Sequence, residues 1–194
     1  MFKHLIMLGL DINDQNLILS NLSAPERYYH TVMHVLDVID GSEDPMIWAL
    51  AWFHDVIYDV HRNDNERRSA QLGIKMLEKN NPLKIDLDVF FEACVDTANH
   101  NARSDVSKAF SDRDMAILAS LSGRYGIYRR QIRMEWAHVP WEQYSTGRAE
   151  VLKKFNERTI FYTPEYMVRE ELAHDNMRKE IWLLEHKTEA EFMG

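Results

Sequence analysis

Residues 49–59 of the sequence, ALAWFHDVIYD, set a histidine and an aspartate side by side within an apolar stretch. Burying an ionised carboxylate is costly unless the group is paired, hydrogen-bonded or bound to a metal. Adjacent residues on a helix point about 100° apart, yet an ion near the end of the helix can contact both. We therefore expect His54 and Asp55 to bind a shared ion. The alternative is a packed core histidine beside an aspartate that bonds to backbone groups.

Two further histidines, His30 and His34, lie four residues apart in RYYHTVMHVLDVID. This spacing puts both imidazoles on the same face of a helix, from which they can approach one site. Histidines at this spacing are also common as packing residues. The pair therefore indicates a metal site only in combination with the other candidate residues.

Glu66 and His100 extend the series of candidates. Glu66, in RNDNERRSA, also fits a capping box with Asn63, which is a structural alternative. His100, in CVDTANHN, lies near a predicted helix C-terminus, where a cationic histidine interacts favourably with the helix dipole.

Asp112 and Asp114, in FSDRDMAILAS, are the last acidic candidates, and Ser111 with Asp114 could instead cap a helix. Taken together, the candidates are imidazoles and carboxylates on several different predicted helices. This combination suits Mn, Fe, Co, Ni or Zn, whereas an all-oxygen Mg site needs no histidines.

The elements that must position these residues are predicted to be helices. Apolar residues recur at helical spacing, and alternating strand patterns are nearly absent. The expected helices cover residues 26–40, 45–59, 64–79, 86–101, 112–121, 124–138, 141–160 and 164–187. Helix-start signals support three of them: Ser23 with Glu26, Asp44 with Pro45, and Thr163 with Pro164. The fold class is therefore all-α, and the almost uniformly apolar helix before His54 should lie centrally.

Length, composition and charge limit the classes of protein to which the chain can belong. The 194 residues are 45% hydrophobic, a length and balance that predict one domain over residues 1–194. A single cysteine, Cys94, permits no disulfide within the chain, and no run approaches the roughly 20 apolar residues of a membrane span. We therefore expect a cytoplasmic protein without membrane contact. The net charge of −8 argues against general nucleic-acid binding, but it allows a small anionic substrate.

The candidate histidines and acids, in their order along the chain, resemble those of the HD-domain metal-dependent phosphohydrolases, which are named for their His–Asp doublet. The similarity is to a small bacterial group of predicted HD phosphohydrolases of about this length, and it lies in RYYHTVMH, AWFHDVIYD, DNERRSA, TANHN and SDRDMAILAS. It extends through YGIYRRQIRMEW, GRAEVLKKF and AHDNMRKEIWLL. The resemblance implies a single HD-domain helical bundle with additional C-terminal helices. It also implies a phosphomonoesterase or phosphodiesterase that acts on a small phosphate ester, with nucleotides among the candidate substrates.

A second resemblance assigns roles to the histidines. YHTVMHVLDV is similar to a segment of the cyclic-nucleotide phosphodiesterases, in which the first histidine protonates the leaving group and the second binds metal. Carried onto this chain, His30 is the general acid, although a simpler HD pattern makes it a ligand. The implied ligands of a divalent metal (Mn, Fe, Co, Ni or Zn, with Mg as a further candidate) are His34, His54, Asp55 and Asp114, with Asp112 as the alternative to Asp114.

A metal held by these four residues suggests roles for the remaining candidates. Asp55 or Glu66 would accept a proton from the attacking water, and His100 would bind phosphate or a second metal. Arg148 would bind the substrate's charge, because arginine matches phosphate in a bidentate manner. The neighbouring Arg129 and Arg130 are instead expected on a solvated helix face.

Two other classes of function stay open. One is a non-catalytic module that keeps the HD fold and binds a metal or a nucleotide. The other is a di-iron oxygenase of the HD type, which would need further ligands such as Glu66 and His100. The number and identity of bound metal ions would separate these classes, and the sequence specifies neither the substrate nor the oligomeric state.

Overall fold

A computed structural model describes residues 2–194, which divide between Arg113 and Asp114 into two compact units. Within the described residues the regular structure consists of twelve α-helices and one 3-10 helix, with no strand. The all-α prediction is therefore confirmed. The prediction of a single domain over residues 1–194 stays a prediction.

The first unit contains the helices that carry the histidines. Its elements are α1 (Lys3–Met7), α2 (Ile12–Leu22), α3 (Val32–Ile39), α4 (Pro45–Phe53), α5 (Asn65–Leu77), α6 (Leu87–Asp96) and α7 (Asp105–Asp114), whose last residue lies just past the unit boundary. The first two helices were not predicted. Asp11, which interrupts the apolar run at the start of the chain, is the N-cap of α2 and accepts from the backbone N–H groups of Asn13 and Asp14.

Helix α4 lies at the centre of the first unit, as its sequence predicts. Its residues from Ile47 to Phe53 are all buried, and it packs against α3, α5 and α6. The predicted start is confirmed, because the Asp44 side chain accepts from the backbone N–H of Met46 and Pro45 occupies the first turn.

Two predicted helices around the histidines are wrong at their ends. Residues 26–31 form turns rather than a helix, because α2 ends at Ser23 as its C-cap and α3 starts only after the N-cap Thr31. Helix α4 ends at Phe53 instead of continuing to residue 59. The following segment is bonded through its backbone to side chains of α5, which replaces the hydrogen bonds of a continued helix.

The second unit is a smaller group of helices. It comprises the 3-10 helix Met115–Ala119, α8 (Ser122–Glu135), α9 (Trp141–Asn156), α10 (Pro164–Met167), α11 (Glu170–His186) and α12 (Glu189–Met193). Helix α11 packs against α8, α9 and the 3-10 helix. The predicted helix 112–121 is wrong, because α7 already covers residues 105–114 and only a 3-10 turn follows. The predicted helix 164–187 is divided at residues 168–169.

None of the helices in residues 2–194 is both long enough and apolar enough to cross a membrane.

Candidate metal centre

Two buried histidines from neighbouring helices form the centre of the candidate site. His34 lies on α3, and His54 is the residue that caps the C-terminus of α4. Their exposed fractions are only 4% and 1%. The two Nε2 atoms lie 3.3 Å apart. Ring nitrogens at this distance cannot both carry a hydrogen, so at least one presents a lone pair to its neighbour or to a shared cation.

The backbone of α4 fixes the tautomer of His54. Its Nδ1 lies 3.2 Å from the carbonyl oxygens of both Leu50 and Ala51. Because a carbonyl oxygen can only accept, Nδ1 carries the hydrogen and donates it. In the neutral ring Nε2 then offers its lone pair to the site, an arrangement typical of histidines that bind metals.

Asp114, the last residue of α7, supplies a carboxylate to this group. One of its oxygens and a ring nitrogen from each of His34 and His54 all lie within 4.8 Å of one another. The capping pair proposed for Ser111 and Asp114 is wrong, because α7 runs through both residues and Asp114 makes no capping bond to the 3-10 helix. The other candidate, Asp112, is fully buried on α7 but does not belong to this group.

Asp55 adds a second carboxylate and His30 a third imidazole. Asp55 Oδ2 lies 3.1 Å from His54 Nε2 and 3.8 Å from His30 Nε2. The side chains of His30 and Asp55 are 19% and 15% exposed, so they form the solvent-facing edge of the site. His30 precedes α3 and is not on its face as predicted, yet its ring centroid still lies 5.9 Å from that of His34.

Glu66 lies in the first turn of α5 and is half-buried. Burial raises the pKa of its carboxyl group, and the negative charge of Asp55 acts in the same direction. The predicted capping box with Asn63 is wrong, because the N-cap of α5 is Asp64, whose side chain makes no capping bond. Glu66 is thus an acid close enough to Asp55 for their charges to interact.

Sequence reasoning missed Arg27, which organises the edge of the site. Its buried guanidinium donates to the carbonyl oxygens of His30 at 3.0 Å, Asp55 at 2.7 Å and Val56 at 2.9 Å. One side chain therefore ties the turn before α3 to the turn after α4. The only signal in the sequence is an arginine three residues before His30, and its partners 28 and 29 residues away cannot be read from spacing.

Two polar side chains of α5 hold the segment that follows Asp55. Ser69 Oγ accepts from the backbone N–H of Ile57 at 3.0 Å and donates to its carbonyl at 3.2 Å. Asn65 bonds both backbone groups of Asp59 in the same reciprocal way, at 3.2 and 2.9 Å. These residues were also missed, because their backbone partners lie 12 and 6 residues away and no local motif marks them in the sequence.

His100 and Arg148, the two expected substrate-binding residues, do not belong to the group of His34, His54 and Asp114. His100 lies in the turn after α6 in the left-handed region of φ, at 47°, which non-glycine residues seldom adopt. In the second unit, Arg148 Nε donates to Glu180 Oε1 at 3.0 Å, and its Nη2 donates to the Tyr128 hydroxyl at 3.1 Å. The charge of Arg148 is therefore balanced within the protein. The substrate-binding roles of both residues stay predictions.

The donor set fits a divalent metal ion. It contains two buried imidazoles, one of them with its tautomer fixed, and the carboxylate of Asp114, with the carboxylate of Asp55 against His54. Nitrogen and oxygen ligands of this kind are typical of Mn, Fe, Co, Ni and Zn sites. The cluster can therefore hold a metal ion, and the ligand types do not single out one element.

No protein-family model, curated protein or solved structure matches the chain. The function of the chain is therefore inferred from the residues of this site.

Proposed function

We propose that the chain is a metal-dependent phosphohydrolase of the HD-domain superfamily that hydrolyses small phosphate esters, with nucleotides as the first substrate class to test. The observation that carries the proposal is the convergence of His34, His54 and Asp114 from three helices. Asp55, the neighbour of His54, adds its carboxylate at 3.1 Å. The chain order of these groups is the one that the resemblance to HD phosphohydrolases implies.

His34, His54, Asp55 and Asp114 would hold the metal. When bound, such an ion polarises a phosphate oxygen and can lower the pKa of a water from 15.7 to roughly 7. Glu66 is suited to accept a proton from the attacking water, because its half-buried carboxyl has a raised pKa. Asp55 is the alternative acceptor, since its carboxylate lies at the solvent-facing edge.

His30 is suited to donate a proton to the leaving group. Its ring lies at the partly exposed edge of the site, 4.4 Å from the ring of Tyr58, and Arg27 fixes its backbone. Its Nε2 is 3.8 Å from Asp55 Oδ2, close enough for the carboxylate to stabilise the cationic imidazole. A ligand role is the competing assignment, because the same atom would also be near an ion bound by Asp55.

The activity is tested by a phosphatase screen on the purified protein. Samples loaded with Mn²⁺, Fe²⁺, Co²⁺, Ni²⁺, Zn²⁺ or Mg²⁺ are assayed for phosphate release from nucleotides and sugar phosphates and for hydrolysis of cyclic dinucleotides. We expect hydrolysis of at least one class, lost in Asp114→Asn and kept in Asp105→Asn, an exposed carboxylate on the same helix. Stoichiometric metal without any turnover would favour the non-catalytic module instead. Two irons with substrate-dependent oxygen uptake would favour the oxygenase.

The role of His30 is tested with His30→Ala. As a general acid, His30 should be dispensable for metal binding, while hydrolysis of unactivated esters should fall by roughly 10²–10⁴. The loss should be much smaller for p-nitrophenyl phosphate, whose leaving group needs little protonation. His61→Ala, an exposed histidine of the same unit, is the control. Loss of metal together with activity, whatever the leaving group, would identify His30 as a ligand.

A further inference from the structure

A cavity in the second unit, named here the α8 cavity, lies between the start of α8 and the middle of α11. Its volume is about 320 Å³, within the roughly 300–1,000 Å³ typical of small-molecule sites. Ser122, Gly123 and Gly126 line it from α8, and Asn176, Lys179 and Glu180 line it from α11. None of these residues belongs to the candidate metal centre.

Three cationic side chains face the α8 cavity: Arg129, Arg130 and Lys179. Arg129 packs its guanidinium 4.4 Å from the ring of Phe192 and donates to the carbonyl oxygen of that residue, a neutral partner. Among residues 2–194, neither Arg130 nor Lys179 makes an ion pair or a side-chain hydrogen bond. The cavity therefore concentrates positive charge in a chain whose net charge is −8.

The one carboxylate that lines the α8 cavity is already engaged. Glu180 is fully buried, and its two oxygens accept from the Tyr125 hydroxyl at 2.5 Å and from Arg148 Nε at 3.0 Å. Its charge is thus matched by Arg148, which is not among the lining residues. Burial and the neighbouring charge of Arg130 both lower the pKa of Arg129, whereas Glu180 acts in the opposite direction. The lining thus carries three cationic side chains and one carboxylate.

The first turn of α8 adds donors to the same cavity. Leu121 precedes the helix without a side-chain cap, and the first turn contains no acidic residue. The first N–H groups of a helix have no partner within it and attract anions. A Cβ at Gly123 would meet nothing within 4 Å, and one at Gly126 would meet only Arg130 Nη1, at 3.7 Å. The backbone is therefore open to a ligand here, and the guanidinium of Arg130 lies beside Gly126, one turn into the helix.

From these features we propose that the α8 cavity binds the phosphate group of a small phosphorylated ligand. Arg130 and Lys179 would neutralise its charge, and the N–H groups at the start of α8 would donate to its oxygens. Arginine suits this role because its planar fork matches two phosphate oxygens. The site is independent of the proposed hydrolase activity, since it uses none of the metal-binding or acid–base residues.

Binding is tested with inorganic pyrophosphate as the probe, by calorimetry and by ¹⁵N chemical shifts of the full chain after removal of metal. We expect saturable binding that weakens with added NaCl. The amide signals of Gly123 and Gly126 should shift. Parallel titrations with inorganic phosphate and adenosine monophosphate distinguish a site for free phosphate from one for a phosphate ester. Absence of saturable binding for all three probes, or shifts confined to residues 54–66, would overturn the proposal.

Variants that each remove one positive charge test whether Arg130 and Lys179 bind the phosphate. Arg130→Gln and Lys179→Gln should each weaken pyrophosphate binding by roughly 10-fold to 100-fold, the scale of a lost hydrogen bond to a charged group. Arg178→Gln is the matched control, because Arg178 is the adjacent cation on α11 but pairs with Glu171 and Asp175. Circular dichroism verifies that each variant is folded. Equal affinity in the Arg130→Gln/Lys179→Gln double variant and in the control would refute the assignment.

Discussion

Removing Arg148 should destabilise the protein strongly, because it would leave a buried carboxylate without its cation. Glu180 is fully buried, and Arg148 Nε at 3.0 Å is its charged partner. Burial by itself lowers the pKa of Arg148, but Glu180 and the tyrosines around the guanidinium together outweigh this and hold the pKa well above its usual range. After Arg148→Met, the carboxylate would keep the hydrogen bond from the Tyr125 hydroxyl at 2.5 Å and the weaker attraction of the Arg129 charge, but no charged hydrogen-bond donor.

The expected magnitude follows from the burial of the pair. Breaking a buried ion pair by removing one partner typically costs about 3–5 kcal/mol. For a chain of this length, this corresponds to a fall in melting temperature of roughly 6–20 °C. Replacing both partners, in Arg148→Met/Glu180→Met, should cost much less than the sum of the single changes. No charge would then be left buried, and apolar replacement of such pairs is often close to neutral.

Urea unfolding followed by tryptophan fluorescence measures these free energies for the wild type, both single variants and the double variant. The coupling energy from this cycle should be at least about 2 kcal/mol. Arg178→Met is the control, since the guanidinium of Arg178 is 47% exposed and its ion pairs should contribute little. Additive single changes, or an Arg148→Met variant as stable as this control, would refute the structural role and leave substrate binding as the main role of Arg148.

Two further predictions concern packing and helix capping. Gly73→Ala should lower the free energy of unfolding by about 1–3 kcal/mol in urea titrations, because the new Cβ would lie 2.6 Å from Phe90 Cζ; an unchanged midpoint would contradict this. Glu191 accepts from the backbone N–H of Thr188 and pairs with Lys187, which lowers its pKa from 4.5 to about 2. Its folded pKa is depressed, so its stabilising contribution is present above pH 4.5 and is lost as the pH falls towards 2. The difference in melting temperature between the wild type and Glu191→Gln should therefore shrink over this range, and a constant difference would contradict the capping role.

The parts of the fold that could be predicted are those that local sequence signals determine. The start of α4 is set by the neighbouring residues Asp44 and Pro45, and its burial follows from its own uniformly apolar sequence. Both features were therefore predicted correctly. The predicted start of α3 is wrong. Ser23 and Glu26 form an equally good local capping pattern, but the N-cap in the structure is Thr31. Competing caps cannot be ranked from sequence when packing decides between them.

Long-range contacts account for what was missed in the site. Asp112 and Asp114 are two residues apart on α7, and only the position of that helix determines which carboxylate lies beside the histidines. Arg27 looks like an ordinary surface arginine until its carbonyl partners after α4 are known. Likewise, Arg129 and Arg130 were expected on a solvated face, whereas both line the α8 cavity once α11 is packed beside α8.

The most direct test of the central claim is the metal content of the purified protein, measured by elemental analysis after dialysis against each candidate metal. We expect about one or two ions per chain in the wild type, and about none in His54→Ala and Asp114→Asn. His61→Ala and Asp105→Asn should bind as the wild type does. A wild type that retains no divalent metal, or an Asp114→Asn variant that retains as much as the wild type, would contradict the metal centre built from His34, His54 and Asp114.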